Sequence, residues 1–144
     1  MDEIDRRLLA LLQANAREST ANLARKLGVA RTTVVARLAR LERSGVIVGY
    51  TVRLGLDATG GGVHAHVGIT IEPKTSREVI RRLERLPELR QLSSVSGEYD
   101  YIAVLGADTA ARLDEVLDEV REIAGVTKTT TSVLLSVRID RRAG

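Results

Sequence analysis

The stretch LARKLGVARTTVVARLARLERSGVIVGY, Leu23 to Tyr50, decides how the first third of the chain folds. Leu23, Ala24 and Leu27 recur at helical spacing, Ser19 or Thr20 stands ready to cap that helix, and Gly28 supplies the left-handed backbone that ends it. Three residues later a second periodic run begins. It predicts a helix from Arg31 to Arg43 that buries Val34, Val35, Leu38 and Leu41 and stops at Gly45. Ala30 has no side-chain oxygen to cap it, so a start at Thr32 is the alternative, and the two starts imply different registers for whatever the helix reads. Val46 to Leu54, rich in β formers but interrupted by Gly49, fits either a short wing or an extended arm.

Working outward, Ile4, Leu8, Leu9, Leu11 and Leu12 form an apolar stripe that predicts a first helix from about Ile4 to Ala16. Asp2 is its cap, and Asp5 sits in the first turn, where a carboxylate suits the helix dipole. The glycine triplet in LDATGGG, Leu56 to Gly62, suits neither helix nor strand and reads as a linker. Beyond it the period changes to two. Val63, Ala65, Val67, Ile69 and Ile71 alternate with His64, His66, Gly68 and Thr70, the pattern of a strand. A helix follows, with Thr75 and Glu78 spaced as a capping box, Val79, Ile80, Leu83 and Leu86 on one face, and Pro87 as the stop. ELRQLSSVS and EYDYIAVLGA then predict a hairpin around Gly97. Asp108 or Thr109 opens a helix striped by Leu113, Val116, Leu117, Val120 and Ile123 and closed by Gly125, and VTKTTTSVLLSVRI is the last strand. The fold class is α+β: a winged helix-turn-helix at 1–54, a linker at 55–62, and a ferredoxin-like βαββαβ domain at 63–144. Both helices of the second domain cover one sheet face. His64, His66, Thr70, Ser94, Tyr99, Tyr101, Thr129 and Thr131 are expected on the other, which calls for a partner sheet.

Composition narrows the function. The 144 residues contain no Cys, Phe or Trp and three Tyr, so the cores are aliphatic, and disulfides, thiolate nucleophiles and cysteine-based zinc sites are excluded. The acidic start MDEID differs from a basic leader and no apolar run reaches membrane-spanning length, so a cytoplasmic protein without membrane attachment is expected. The net charge of +3 is unevenly placed. Residues 1–54 carry ten Lys and Arg against five Asp and Glu, and residues 63–144 carry twelve against thirteen. A basic N-terminal part joined to a neutral part suggests a polyanion binder.

LGVART has the length and glycine of a helix-turn-helix joint, so the Arg31–Arg43 helix is the one to enter a major groove. Arg31, Thr32, Thr33, Ala36, Arg37 and Arg40 lie outside its apolar stripe: short Thr and Ala allow close approach to base edges, and Arg forks onto guanine or phosphate. Arg25, Lys26, Arg43 and Arg53 flank it as phosphate contacts. In SVSGEYD, Gly97 turns the chain so that backbone groups are accessible, Asp100 can hold an ammonium, and Ser94, Ser96 and Tyr99 offer neutral hydrogen bonds; a plain hairpin with Asp100 on a structural hydrogen bond is the alternative. His64 and His66 share a strand face but lack a third ligand, so no metal is assigned. No phosphate-cradling or nucleophile-elbow motif occurs, and no catalytic residue or cofactor is assigned.

DEIDRRLLALLQANAR, LARKLGV, VVARLARLERSGVIVGY and VSGEYDY stand in the order and spacing of the Lrp/AsnC (feast/famine) transcriptional regulators, which the chain resembles over nearly its whole length. That resemblance implies a winged helix-turn-helix reading an inexact palindrome in double-stranded DNA. It also implies a C-terminal domain that forms homodimers through its sheet, assembles to octamers or higher, and senses an amino acid or similar small effector. In that family the hairpin matching Gly97, Tyr99 and Asp100 borders the effector cleft. The architecture also resembles the siroheme decarboxylases, for which His64, His66 and Tyr99 are the candidate acids and bases. The basic third helix argues against that enzyme, since an abandoned DNA reader has no need of exposed arginines. A nucleoid-type architectural DNA-binding protein without an effector is the third reading.

Overall fold

The computed structural model describes residues 1–54 and 62–141, so most of the expected linker, 55–61, lies outside the described residues. The chain divides into two compact units, Met1–Arg53 with the chain end from Ile139, and Leu54–Arg138.

The first unit holds three helices, α1 (Glu3–Ala14), α2 (Thr20–Leu27) and α3 (Arg31–Arg43). Asp2 caps α1 in a reciprocal box, its carboxylate accepting from the Asp5 N–H at 2.9 Å while the Asp5 carboxylate accepts from the Asp2 N–H at 3.3 Å. Ser19 caps α2 by accepting from Asn22 N–H. At the joint Gly28 takes φ +70°, and the Val29 and Gly28 N–H groups donate to Ala24 and Arg25 carbonyls, closing a Schellman turn that points the chain into α3. α3 starts at Arg31 and not at Thr32. The Ala30 carbonyl already accepts from Thr33 and Val34 N–H groups, so the backbone closes the first turn without a side-chain cap. Leu8, Leu12, Leu23, Ala24, Leu27, Val34 and Leu41 form the core, each large aliphatic contributing roughly 1.5–3 kcal/mol by its burial. Val35, expected in that core, is 56% exposed. Three short helices meet along a narrow seam that reaches Val34, Leu38 and Leu41 but not the next position round the helix.

Val46–Leu54 carries neither strand nor helix, so the arm describes it and a stranded wing does not. It is fastened near its middle, where the Tyr50 hydroxyl donates to Glu42 Oε1 at 2.9 Å; burial and that carboxylate together raise the Tyr50 pKa above the ordinary phenol range.

The second unit runs β1 (Val63–Ile71), α4 (Ser76–Glu84), β2 (Leu89–Ser94), β3 (Tyr101–Ala107), α5 (Ala110–Arg121) and β4 (Val126–Val133), with antiparallel sheet order β2-β3-β1-β4. Val79 and Leu83 of α4 and Leu113, Val116 and Val120 of α5 pack on Ala65, Val67, Ile69, Ala103 and Leu105, so both helices share one sheet face, as a ferredoxin-like fold requires. Thr109 caps α5 by accepting from Arg112 N–H. Thr75 does not form the expected capping box, because its hydroxyl donates to the Glu72 carbonyl at 2.6 Å. Thr75 also abuts Gly125: a Cβ there would lie 2.7 Å from its side chain, and φ of +102° adds a second demand for glycine. The final strand ends at Val133, short of the predicted run.

Register corrects the expected open face. Tyr101 pairs with Ile69 and with Ser94, and Thr129 and Thr131 pair with Ile69 and Val67, so all four residues lie on the helix-covered side. The opposite side carries His64, His66 and Thr70 of β1, Ile102 and Val104 of β3, Ser93 of β2, and Thr130 and Ser132 of β4.

Candidate nucleic-acid interface and effector hairpin

On α3 the positions left exposed by the bundle are Arg31, Thr32, Val35, Ala36, Ala39, Arg40, Glu42 and Arg43; Glu42, the one carboxylate among them, accepts from the Tyr50 hydroxyl. Spacings of three and four place Thr32, Val35, Ala36, Ala39 and Arg43 on one face. Its centre is made of side chains no larger than valine, and Thr20, Arg31, Thr32, Val35 and Ala36 line a shallow depression at its N-terminal end. A helix with so slim a face brings its backbone close to a groove floor, and the valine and alanine methyls suit a thymine methyl. Val35 is the residue that periodicity misses, because helical spacing alone places it with the core.

The cations sort into two groups. Arg31 and Arg53 make no ion pair among the described residues, Arg25 donates only to the neutral Asn22 amide, and Arg43 donates to the Ala39 carbonyl of its own helix. Among the described residues these four have no carboxylate partner. Lys26 instead pairs with Glu18 at 2.8 Å, which lowers the Glu18 pKa. Arg37 and Arg40, expected to face DNA freely, are tied to the start of α1. Arg37 Nη1 lies 2.6 Å from both Asp2 oxygens and 3.1 Å from Asp5 Oδ1, and Arg40 Nη2 lies 2.8 Å from Asp5 Oδ2. The Arg37 side chain is 21% exposed and that of Asp5 only 1%. The Arg37 hydrogen bond, aided by the Asp5 N–H, holds the Asp2 carboxyl down at about 2. Burial pushes Asp5 upward, but Arg37, the Asp2 N–H and Arg40 outweigh it and leave Asp5 lowered. Arg37 is correspondingly raised. Thr33 is half-buried at the margin of the reading face.

The hairpin between β2 and β3 brings together only part of the expected effector set. Gly97 turns at φ +107°. Asp100 is built into the sheet: its N–H donates to the Ile69 carbonyl at 2.9 Å, its carbonyl accepts from Val95 N–H, and its Oδ2 accepts from Ile71 N–H at 2.8 Å. The Tyr99 ring lies over Gly68 on the open face, where a Cβ would meet it at 2.7–2.8 Å. Ser94 is on the other side, lining a small depression with Ile80, Glu84, Leu89, Leu92 and Tyr101. Ser94 and Tyr99 are therefore separated by the sheet, and Ser96 and Gly97 are exposed at the tip. His64 and His66 are exposed on the open face. Among the described residues no group of three or more His, Cys, Asp or Glu is placed to hold a metal, and no helix is long and apolar enough to cross a membrane.

With this geometry in hand, comparison with known proteins gives a consistent result. Residues 1–42 match the AsnC-type helix-turn-helix domain and residues 64–143 the Lrp/AsnC ligand binding domain. An HTH-type transcriptional regulator of Pyrococcus horikoshii is 38% identical over 137 residues, covering 92% of this chain and 91% of that protein. The HTH-type transcriptional regulator LrpA of Mycobacterium tuberculosis is 33% identical over 143 residues, covering 99% and 95%. Among solved structures, E. coli AsnC superposes with a TM-score of 0.89 at 26% identity over 98% of this chain and 96% of that one. The M. tuberculosis feast or famine regulatory protein complexed with L-methionine does so with a TM-score of 0.86 at 32% identity over 98% and 96%.

Proposed function

The chain belongs to the Lrp/AsnC family of transcriptional regulators, and from that premise we propose how its own residues carry the role. α3 enters the major groove of an inexact palindrome, with Thr32, Val35 and Ala36 at base edges, Thr33 at the margin, and Arg25, Arg31, Arg43 and Arg53 on phosphates. Two such units, related by the two-fold axis of a homodimer, read the two half-sites. The dimer forms through the open sheet face carrying His64, His66, Ile102 and Val104 and assembles further. The Gly97–Asp100 hairpin takes part in binding a small effector; that the M. tuberculosis relative is found complexed with L-methionine supports an amino acid as its class. The protein acts in the cytoplasm, by binding and not by catalysis. The observation that carries the DNA reading is the small-residue face of α3 with arginines at its ends that have no carboxylate partner among the described residues.

Four phosphates neutralised per half-site give a slope of log affinity against log salt of about −7 for the dimer. Fluorescence anisotropy on duplex from upstream of the protein's own gene, from 50 to 200 mM salt, tests it. Arg31→Ala should flatten the slope to about −5, since each half-site then has one phosphate fewer neutralised. Salt-independent binding, or an unaltered slope in that variant, would refute the assignment. Equal affinity for random duplex would favour the architectural alternative. Thermal-shift screening against the twenty amino acids tests the effector, since a ligand bound by the folded state alone raises apparent stability.

A further inference from the structure

The α1 terminus and the middle of α3 together form a four-residue cluster in which two carboxylates, Asp2 and Asp5, meet two guanidinium groups, Arg37 and Arg40. The cluster is electrically neutral. It lies beside the exposed face of α3, yet Asp5 is buried and Arg37 is held by three hydrogen bonds of 3.1 Å or less. Each phosphate that a protein cation neutralises releases counterions condensed on the DNA, and a guanidinium held by a fixed carboxylate is not free to neutralise one. We infer that Asp2 is an internal counter-charge that withholds Arg37 from DNA, setting both the strength and the salt sensitivity of binding while Arg37 orients α3 against α1. The inference rests on the DNA-binding reading above and concerns the same surface.

Asp2→Asn is the informative substitution. Asparagine caps a helix as well as aspartate does, so α1 keeps its start, and the amide is close in shape to the carboxylate. What is removed is one negative charge per protomer, leaving the cluster with a net charge of +1. With the full-length protein and the same duplex, the salt slope of Asp2→Asn should steepen by about 2 for a dimer, so that affinity falls roughly tenfold further than wild type between 50 and 200 mM. Arg37→Met, which keeps the packing of the aliphatic stem, should leave the slope at its wild-type value while lowering the melting temperature. A purely capping role for Asp2 would move the melting temperature and not the slope. An unchanged slope in Asp2→Asn, with wild-type binding intact, overturns the inference and leaves the regulator reading standing; so does a slope flattened by about 2 in Arg37→Met, which would mean that Arg37 already touches phosphate. Wild-type protein lacking salt-dependent binding overturns both. If Asp2→Asn fails to fold, the Arg37→Met slope alone decides.

Discussion

Gly68 offers a test of how the hairpin is seated. It lies in β1, a central strand, where glycine costs roughly 0.5–1 kcal/mol relative to alanine through the freedom it loses. On backbone grounds alone Gly68→Ala should stabilise. The structure predicts the reverse, because the new Cβ would lie 2.7 Å from Tyr99 Cδ2 and 2.8 Å from Cδ1 and Cε1. Carbon pairs settle at about 3.5–4.0 Å, so the ring must retreat by nearly 1 Å. It cannot carry the hairpin with it cheaply, since the neighbouring Asp100 is bonded to β1 at both Ile69 and Ile71. Overpacking of this kind costs about 1–3 kcal/mol, and after the propensity gain a net loss of roughly 1–2 kcal/mol remains. For a domain of this size that is a fall of about 5–15 °C in melting temperature. In a Tyr99→Ala background the obstacle is gone, and Gly68→Ala should be neutral or mildly stabilising. Circular-dichroism melts of wild type, both single variants and the double variant, at one fixed protomer concentration, give the coupling. Equal effects of Gly68→Ala in the two backgrounds, or stabilisation in the presence of Tyr99, would refute the argument.

Because the folded pKa values of Asp2 and Asp5 lie below the ordinary carboxylate range, their contribution is fully present above about pH 4. It should fade as pH falls towards 2, and Asp2→Asn should shrink that loss in melts taken at about pH 7, 4 and 2.5. Leu41 is 3% exposed, so Leu41→Ala should cost about 2–5 kcal/mol in urea unfolding. Val35→Ala should cost no more than about 0.5 kcal/mol yet weaken discrimination between operator and single-site variants; a Val35 variant as unstable as the Leu41 one would return Val35 to the core. Asp100→Asn keeps an acceptor for Ile71 N–H but removes the charge, so it should melt within a few degrees of wild type and lack the amino-acid-induced shift. Retention of that shift would take Asp100 out of the effector site.

Much of this is legible in the sequence where the signal is local. Gly28 and Gly45 bracket α3, and the predicted limits Arg31 and Arg43 are those observed. The order of strands and helices after Gly62 follows from alternation, stripes and stops. What is not legible depends on partners far along the chain. Asp2 and Asp5 read correctly as the start of a helix, but nothing nearby indicates that they also neutralise Arg37 and Arg40, more than thirty residues later. Val35 looks like a core residue until the width of the seam is known. Tyr101, Ser94, Thr129 and Thr131 fall on the wrong sheet face when read from alternation, because a period-two pattern gives alternation without its phase. The irregular turns at Gly97 and Gly125 break the count, and only pairing to Ile69 and Val67 restores it. Thr75 and Glu78 satisfy the spacing of a capping box, yet the Thr75 hydroxyl has a nearer acceptor in Glu72.

The seating of the hairpin also limits how an effector can act. Asp100 Oδ2 is already engaged by Ile71 N–H, so an ammonium arriving at this carboxylate adds to the hairpin's attachment and need not dismantle it. Such a ligand produces no response unless it binds two states of the protein unequally. Within one protomer the polar groups offered to it are divided, Tyr99 on the open side of the sheet and Ser94 on the helix side, too far apart in direction for one small molecule to use both. Under the proposed function a site drawing on this hairpin would be completed by groups from another copy of the chain, and the two states that differ in affinity would be states of assembly. Linkage would then run both ways: the effector would change the assembly constant by the same factor, typically about 5–150-fold, by which assembly changes effector affinity. An effector shift in melting temperature that does not vary with protomer concentration would locate the switch inside the single chain instead.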